Sequence, residues 1–218
     1  MSAAAGQTFS IAEENKPVPG CTISGALFRE NSRDIQVFSL AERTDISAES
    51  YPHPKLWIAQ QGSLSAFAGG GLSKEFGAGQ MFVVPAGSAV GIRAVTDSVY
   101  TEIAVGKDTD MNSKLKAGDV FELRDLIPFQ EGKIVNMDLI SSPHMKFVLM
   151  SFDVGTGLSE HAAPGEALIF ALEGEAVIGY EGKEHRIHAG ENFRFDKNGR
   201  HFVKADHRFK MALLLQLD

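Results

Sequence analysis

Short apolar segments in which polar and apolar residues alternate recur along the whole chain. Alternation over about four to eight residues is typical of half-buried β-strands, because successive side chains of a strand point to opposite faces. Glycine turns such as Glu181–Gly182 separate the segments, and only the short stretch 119–126 (DVFELRDL) has a helical pattern. The pattern predicts an all-β sandwich or barrel. The clearest strand segments are 56–59, 80–84, 98–105, 146–153, 167–172, 176–180 and 210–217.

The two halves of the chain repeat each other. Gly62 corresponds to Gly174 and Gly79 corresponds to Gly190, at offsets of 112 and 111 positions. A repeat of this length is too long for a solenoid unit, so it indicates two duplicated domains. The sequence therefore predicts two tandem antiparallel β-barrels. The predicted boundaries are an N-terminal arm at 1–20, an N-terminal barrel at 21–107, a linker at 108–116 and a C-terminal barrel at 117–218.

The composition limits the kinds of partner that the protein can be expected to bind. The formal net charge is −7, so nothing in the composition favours nucleic acid or an acidic membrane surface. No stretch approaches the roughly 18 unbroken apolar residues of a membrane helix. Cys21 is the single cysteine, which excludes an internal disulfide and a thiolate metal cluster. We expect a cytoplasmic protein without nucleic-acid or membrane partners.

Two segments of the second half carry a family resemblance. GLSEHAAPGEALIFALEG (157–174) and GENFRFDKNGRH (190–201) resemble the two motifs of the cupin family, with His201 in the histidine position of the second motif. The resemblance implies that both barrels are cupin jelly rolls, a two-domain bicupin in which the C-terminal barrel is matched best. Cupins host many unrelated activities, so the resemblance does not identify a substrate.

The resemblance also implies a metal site in the mouth of the C-terminal barrel. Its ligands would be His161, Glu166 and His201, holding one divalent Fe, Mn, Ni, Cu or Zn ion. The register counted from Gly174 puts the carboxylate position on Ala167, so Glu166 fits only if the strand bulges there. The alternative is that the histidines bond buried carbonyls and that Glu166 is a solvated loop residue. No catalytic residue is assigned.

Arg194 is a further candidate ligand-binding residue beside this site. Together with Arg200 and His201 it would favour a small anion such as a carboxylate. Arg194 lies between Phe193 and Phe195 on a strand, and the alternative is that its side chain points outward.

The N-terminal barrel lacks the metal-binding residues. By the repeat, His161 corresponds to Glu49, Ala167 to Lys55 and His201 to Val90. Lys55 would put a cation where a ligand carboxylate belongs, so we expect no metal there. This barrel is predicted to be structural or to hold a metal-free pocket, with Trp57 and Phe82 filling its core.

Three functions remain open from the sequence. The first is a small-molecule-binding bicupin with its ligand site in the C-terminal barrel, which includes a metal-dependent enzyme of unknown substrate. The second is a non-catalytic metabolite-binding or sensor protein, and the third is a structural assembly module. The two barrels are expected to pair as an internal pseudo-dimer, with strands near the start of each half crossing over; a homodimer is compatible with this.

Overall fold

The computed structural model describes residues 4–28, 35–71 and 73–217, and the regular structure in these ranges is almost entirely β. One helical turn, α1, spans Ile11–Glu14, and a 3₁₀ turn spans Leu123–Leu126. None of the described helices is long and apolar enough to cross a membrane. In chain order the strands are β1 (Thr8–Phe9), β2 (Thr22–Ala26), β3 (Ile35–Leu40), β4 (Asp45–Ser50), β5 (Lys55–Gln61), β6 (Ser63–Ala68), β7 (Ser73–Gly77), β8 (Gln80–Val84), β9 (Ala89–Ala94), β10 (Ser98–Ala104), β11 (Asp110–Met111), β12 (Val120–Glu122), β13 (Ile134–Ser141), β14 (Met145–Phe152), β15 (Thr156–Ala162), β16 (Glu166–Tyr180), β17 (Lys183–His188), β18 (Asn192–Phe195), β19 (Arg200–Ala205) and β20 (Phe209–Gln216).

The chain divides into two compact units. The first unit contains Ile11–Lys107 and Ser113–Glu122, and the second contains the described residues of 3–10, 108–112 and 123–218. These divisions follow the sheets, because each strand belongs to the unit in which its hydrogen-bonded partner lies.

The first unit is built from two antiparallel sheets. One has six strands in the order β12-β8-β5-β10-β3-β2, and the other has four in the order β4-β9-β6-β7. Apolar and aromatic side chains from both sheets form its core, in which Phe82 and Leu64 are fully buried. The core also contains Trp57 and Phe76, so the strand segments predicted from alternation supply its centre.

The second unit is organised around the long strand β16. The first part of β16 pairs with β18 and β20, and the last part pairs with β17 and β19. The change of partners falls at Gly174, which has a φ of 76°. A Cβ atom at Gly174 would collide with the Arg208 carbonyl oxygen, so only glycine fits. Gly62 in the first unit also has a positive φ, 79°, and a Cβ there would collide with Asp97 and Ser98.

Two short strands belong to the unit formed mainly by the other half of the chain. Strand β1, from the start of the chain, pairs with β18 of the second unit through Thr8 and Phe193. Strand β12, from the start of the second half, pairs with β8 of the first unit through Val120 and Phe82. The sequence predicted this crossing of strands. Each crossing strand covers an outer strand of its sheet, which removes an exposed edge.

Two local expectations need correction. The stretch 119–126 is helical only from Leu123 onward, because Val120–Glu122 pairs with β8 as a strand. The N-terminal arm predicted at 1–20 contains a strand, Thr8–Phe9. Ile11 follows at 1% exposure, so apolar burial fixes this segment although its sequence has no alternating pattern.

Candidate functional site

The structure brings two histidines together on neighbouring strands of the second unit. His161 on β15 lies directly opposite His201 on β19, and the ring centroids are 4.2 Å apart with an interplanar angle of 53°. A β-bulge between Leu158 and His161 precedes the pair. Because a bulge inserts a residue into one strand, it resets which side chains face each other. The pair therefore forms without the H-x-H spacing of the cupin motif.

His201 is the inner member of the pair. It is 7% exposed, and the Phe195 ring stacks on its imidazole at a centroid distance of 4.1 Å. Burial lowers the pKa of His201, the Gly199 carbonyl opposes this effect, and the neighbouring His161 lowers the pKa further. The His201 imidazole is therefore neutral at pH 7.

The hydrogen bonds of the two rings leave their outer nitrogens available. Nδ1 of His201 lies 3.1 Å from the Gly199 carbonyl oxygen, and Nδ1 of His161 lies 2.9 Å from the Ser159 carbonyl oxygen. Since a carbonyl only accepts, each Nδ1 carries the proton in these bonds. Each Nε2 then has a lone pair for a hydrogen-bond donor or a cation. His161 is exposed, which gives the pair a side open to solvent.

Glu166 and Arg194 lie apart from the histidine pair. They form an ion pair with each other, with Arg194 Nη2 2.7 Å from Glu166 Oε1, and Arg194 is 1% exposed. Phe193 and Phe195 belong to the core of the second unit, so the alternation of β18 puts Arg194 on its opposite face. This corrects the expectation that Glu166 and Arg194 join His201. Arg194 thus lies on the face of β18 opposite Phe193 and Phe195, but it is buried there rather than exposed.

Arg200 is also directed away from His201. It precedes His201 on β19, so its side chain is on the other face, and its guanidinium bonds Glu160 at 2.6 Å. Neither Arg194 nor Arg200 therefore supports the expected anion site beside His201.

The metal centre implied by the cupin resemblance is not completed by the described residues. Within 4–28, 35–71 and 73–217, no group of three or more His, Cys, Asp or Glu side chains is placed to hold a metal ion. Catalytic metal sites usually have three protein ligands, and the pair supplies two imidazoles. A catalytic metal therefore does not fit this donor set, and no reaction step is assigned to one.

The first unit has the same strand pairing at the equivalent position. Glu49 on β4 lies opposite Val90 on β9, also after a bulge, as His161 lies opposite His201. The structural equivalence agrees with the offsets of the sequence repeat. A carboxylate and an isopropyl group thus replace the two imidazoles.

The sequence left open a metal-free pocket in the first unit without identifying its lining, and the structure has a cavity beside Glu49. Sequence reasoning assigned Trp57 and Phe82 to the core; both are in the core, but Trp57 also lines this cavity with Lys55 and Glu102. The available signal was spacing: Lys55 and Trp57 are two apart on one strand and so share a face. Their partner Glu102 is distant in sequence, and only the pairing of β5 with β10 brings it opposite Trp57.

Comparisons with known proteins support the fold. Residues 148–215 match the cupin domain family. The match and the architecture together support an all-β jelly-roll fold of the cupin type.

The solved structures include a particularly similar protein, the Cupin 2 conserved barrel domain protein from Leptotrichia buccalis. It is 25% identical, with 98% of each chain covered and a TM-score of 0.85. Salicylate 1,2-dioxygenase from Pseudoaminobacter salicylatoxidans is 11% identical over 83% of this chain and 70% of its own, with a TM-score of 0.61. Oxalate decarboxylase from Bacillus subtilis is 12% identical over 100% of this chain and 78% of its own, with a TM-score of 0.54. These two likenesses concern the fold alone. A search of curated proteins gives no match.

Proposed function

We propose that the chain is a bicupin of two tandem barrels that binds a small molecule at the His161–His201 pair. The barrels would follow the predicted boundaries 21–107 and 117–218, except that 117–122 belongs to the first unit, and the pair would lie in the mouth of the second barrel. The observation that carries the proposal is the buried, neutral His201 imidazole beside an exposed second imidazole. A neutral imidazole at the edge of an apolar core is a hydrogen-bond acceptor aimed at a ligand rather than a solvated charge.

The surroundings of the pair favour a neutral ligand with an N–H or O–H donor. Both Nε2 atoms accept, and Phe195 and Tyr180 provide aromatic surface, with Tyr180 opposite His201 on β16. Arg194 and Arg200 are held by carboxylates elsewhere, which removes the reason to expect an anion. Since the donor set for a catalytic metal is incomplete, binding without turnover is the proposed activity.

A second occupant is one divalent transition metal ion held by the two imidazoles and by water. The Nδ1–H groups of metal-bound histidines usually donate to backbone carbonyls or carboxylates, as both do here. The expected stoichiometry is at most one ion per chain, with none in the first unit.

Titration of the full chain, followed through the imidazole resonances by NMR, tests the site. The probes are a panel of neutral alcohols and primary amides and, separately, ZnCl₂. We expect saturable shifts of the His161 and His201 rings with at least one panel member, lost in His201→Ala and retained in His144→Ala, because His144 is exposed elsewhere in the unit. If no compound of the panel shifts the resonances of either ring, the proposal of a neutral ligand is wrong. If only Zn²⁺ shifts them, the metal ion is the ligand of the pair.

A further inference from the structure

A cavity of about 240 Å³ lies between the two sheets of the first unit. Its lining comes from β3, β4, β5, β9 and β10, around the Glu49–Val90 pair. An apolar cavity of about 150 Å³ is large enough to hold benzene in other proteins. This cavity therefore has room for one aromatic ring carrying a short substituent.

Aromatic side chains form the inner wall of the cavity. The rings of Phe38 and Tyr100 are stacked at 4.9 Å, and the Trp57 ring lies 5.9 Å from that of Tyr100. Tyr100 is 1% exposed and lines the cavity, so its ring contributes to the aromatic wall that a ligand would contact.

Charged groups line the same cavity, and carboxylates outnumber ammonium groups. The Glu102 carboxylate accepts from Lys55 Nζ at 2.6 Å and from Trp57 Nε1 at 2.7 Å. The Glu49 carboxylate accepts from the Tyr51 hydroxyl at 2.9 Å. Lys55 balances one of the two carboxylates, which leaves one formal negative charge. A cationic ligand is therefore favoured over an anionic one.

The cavity already holds one ammonium group, that of Lys55. Its Nζ lies 3.6 Å from the centroid of the Tyr51 ring while it bonds Glu102. A ring face combined with a carboxylate is the arrangement that recognises organic ammonium ions. Glu49, at the exposed edge of the cavity, has no ammonium partner among the ion pairs of the described residues.

We propose that this cavity is a second ligand site, which takes a small aromatic amine in its protonated form. The ring of the ligand packs against Trp57 and Tyr100, and its ammonium group bonds the Glu49 carboxylate. The site is separate from the His161–His201 pair and does not depend on the function proposed there.

Trp57 provides a direct measurement of this site, because it is the only tryptophan in the chain. Its fluorescence is followed in the full chain at pH 7 while benzylamine, benzyl alcohol or sodium benzoate is added. These probes share a ring and differ in charge. We expect saturable quenching, with benzylamine bound about fivefold more tightly than benzyl alcohol and benzoate weakest. Absence of saturable quenching by benzylamine, or an order in which benzylamine is not the tightest, overturns the proposal.

Matched variants identify the group that binds the ammonium. Glu49→Gln should weaken the binding of benzylamine about fivefold and leave the binding of benzyl alcohol unchanged. Glu75→Gln, a substitution at an exposed position of β7, should alter the affinity for neither compound. Lys55→Met should strengthen benzylamine binding, because it frees the Glu102 carboxylate; a loss of binding overturns the assignment. If Lys55→Met does not fold, the Glu49→Gln comparison decides alone, and equal effects of Glu49→Gln and Glu75→Gln refute the site.

Discussion

The buried His201 should make the stability of the protein depend on pH in a defined direction. Burial lowers the pKa of His201 in the folded chain, whereas the unfolded chain has the ordinary value near 6.5. Below that value the unfolded chain binds a proton that the folded chain does not, so acidification favours unfolding. This contribution is fully present above pH 6.5 and is lost progressively as the pH falls toward the lowered pKa.

The size of the effect has an upper limit. If His201 stays neutral in the folded chain, lowering the pH from 7.0 to 5.5 removes at most about 1.3 kcal/mol through this residue. The slope cannot exceed about 1.4 kcal/mol per pH unit, since one proton is involved. Partial protonation of the folded chain would make the loss smaller.

Urea unfolding at both pH values measures this loss. The change between pH 7.0 and 5.5 is compared for the parent chain, His201→Gln and the exposed-site control His144→Gln. We expect the parent and the control to lose stability by a similar amount, and His201→Gln to lose up to about 1.3 kcal/mol less. Comparing changes rather than absolute stabilities cancels the packing cost of the substitution. The reasoning is refuted if His201→Gln shows the same pH dependence as the parent.

Three further predictions follow from the structure and the sequence. Gly174→Ala should lower the urea midpoint more than Gly182→Ala, because both have positive φ but only the Gly174 methyl group would collide, with the Arg208 carbonyl; equal losses would contradict this. Elemental analysis should find at most one transition metal ion per chain, and His201→Ala should abolish its binding. Two ions per chain would contradict this prediction. Limited proteolysis within 107–112 should leave the two fragments associated in size-exclusion chromatography, since β12 and β1 remain paired with strands on the other fragment; elution as two separate folded fragments would count against it.

The alternation of the strand segments predicted the all-β fold, and the repeat between the halves contains glycines whose role is steric. Gly62 and Gly174 are equivalent positions where a Cβ atom would strike the backbone, so their spacing reports a shared strand geometry. The same offsets predicted that Glu49 and Val90 occupy the positions of the two histidines, and the strand pairing agrees.

The candidate site was predicted less completely because its residues depend on register. The histidine pair forms across a bulge, and a one-residue shift moves a side chain to the other face of a strand. Glu166 was counted near the ligand position, but it lies one position before Ala167, which faces the core. Its partner Arg194 is 28 positions away, and no local pattern reveals that ion pair.

The exchange of β1 and β12 between the two units affects how the protein folds during its synthesis. Thr8 leaves the ribosome well before its partner Phe193, because 193 − 8 = 185 positions separate them in the sequence. In the first unit, likewise, the outer strand β8 can be covered only after Val120 of β12 has been synthesised. Chains generally begin to fold while synthesis continues. The partly synthesised protein therefore has an unpaired strand edge in its first unit and an N-terminal segment whose partner strand has not yet been made. The edge of β8 should therefore stay unpaired until β12 emerges, and β1 should stay unpaired until β18 emerges.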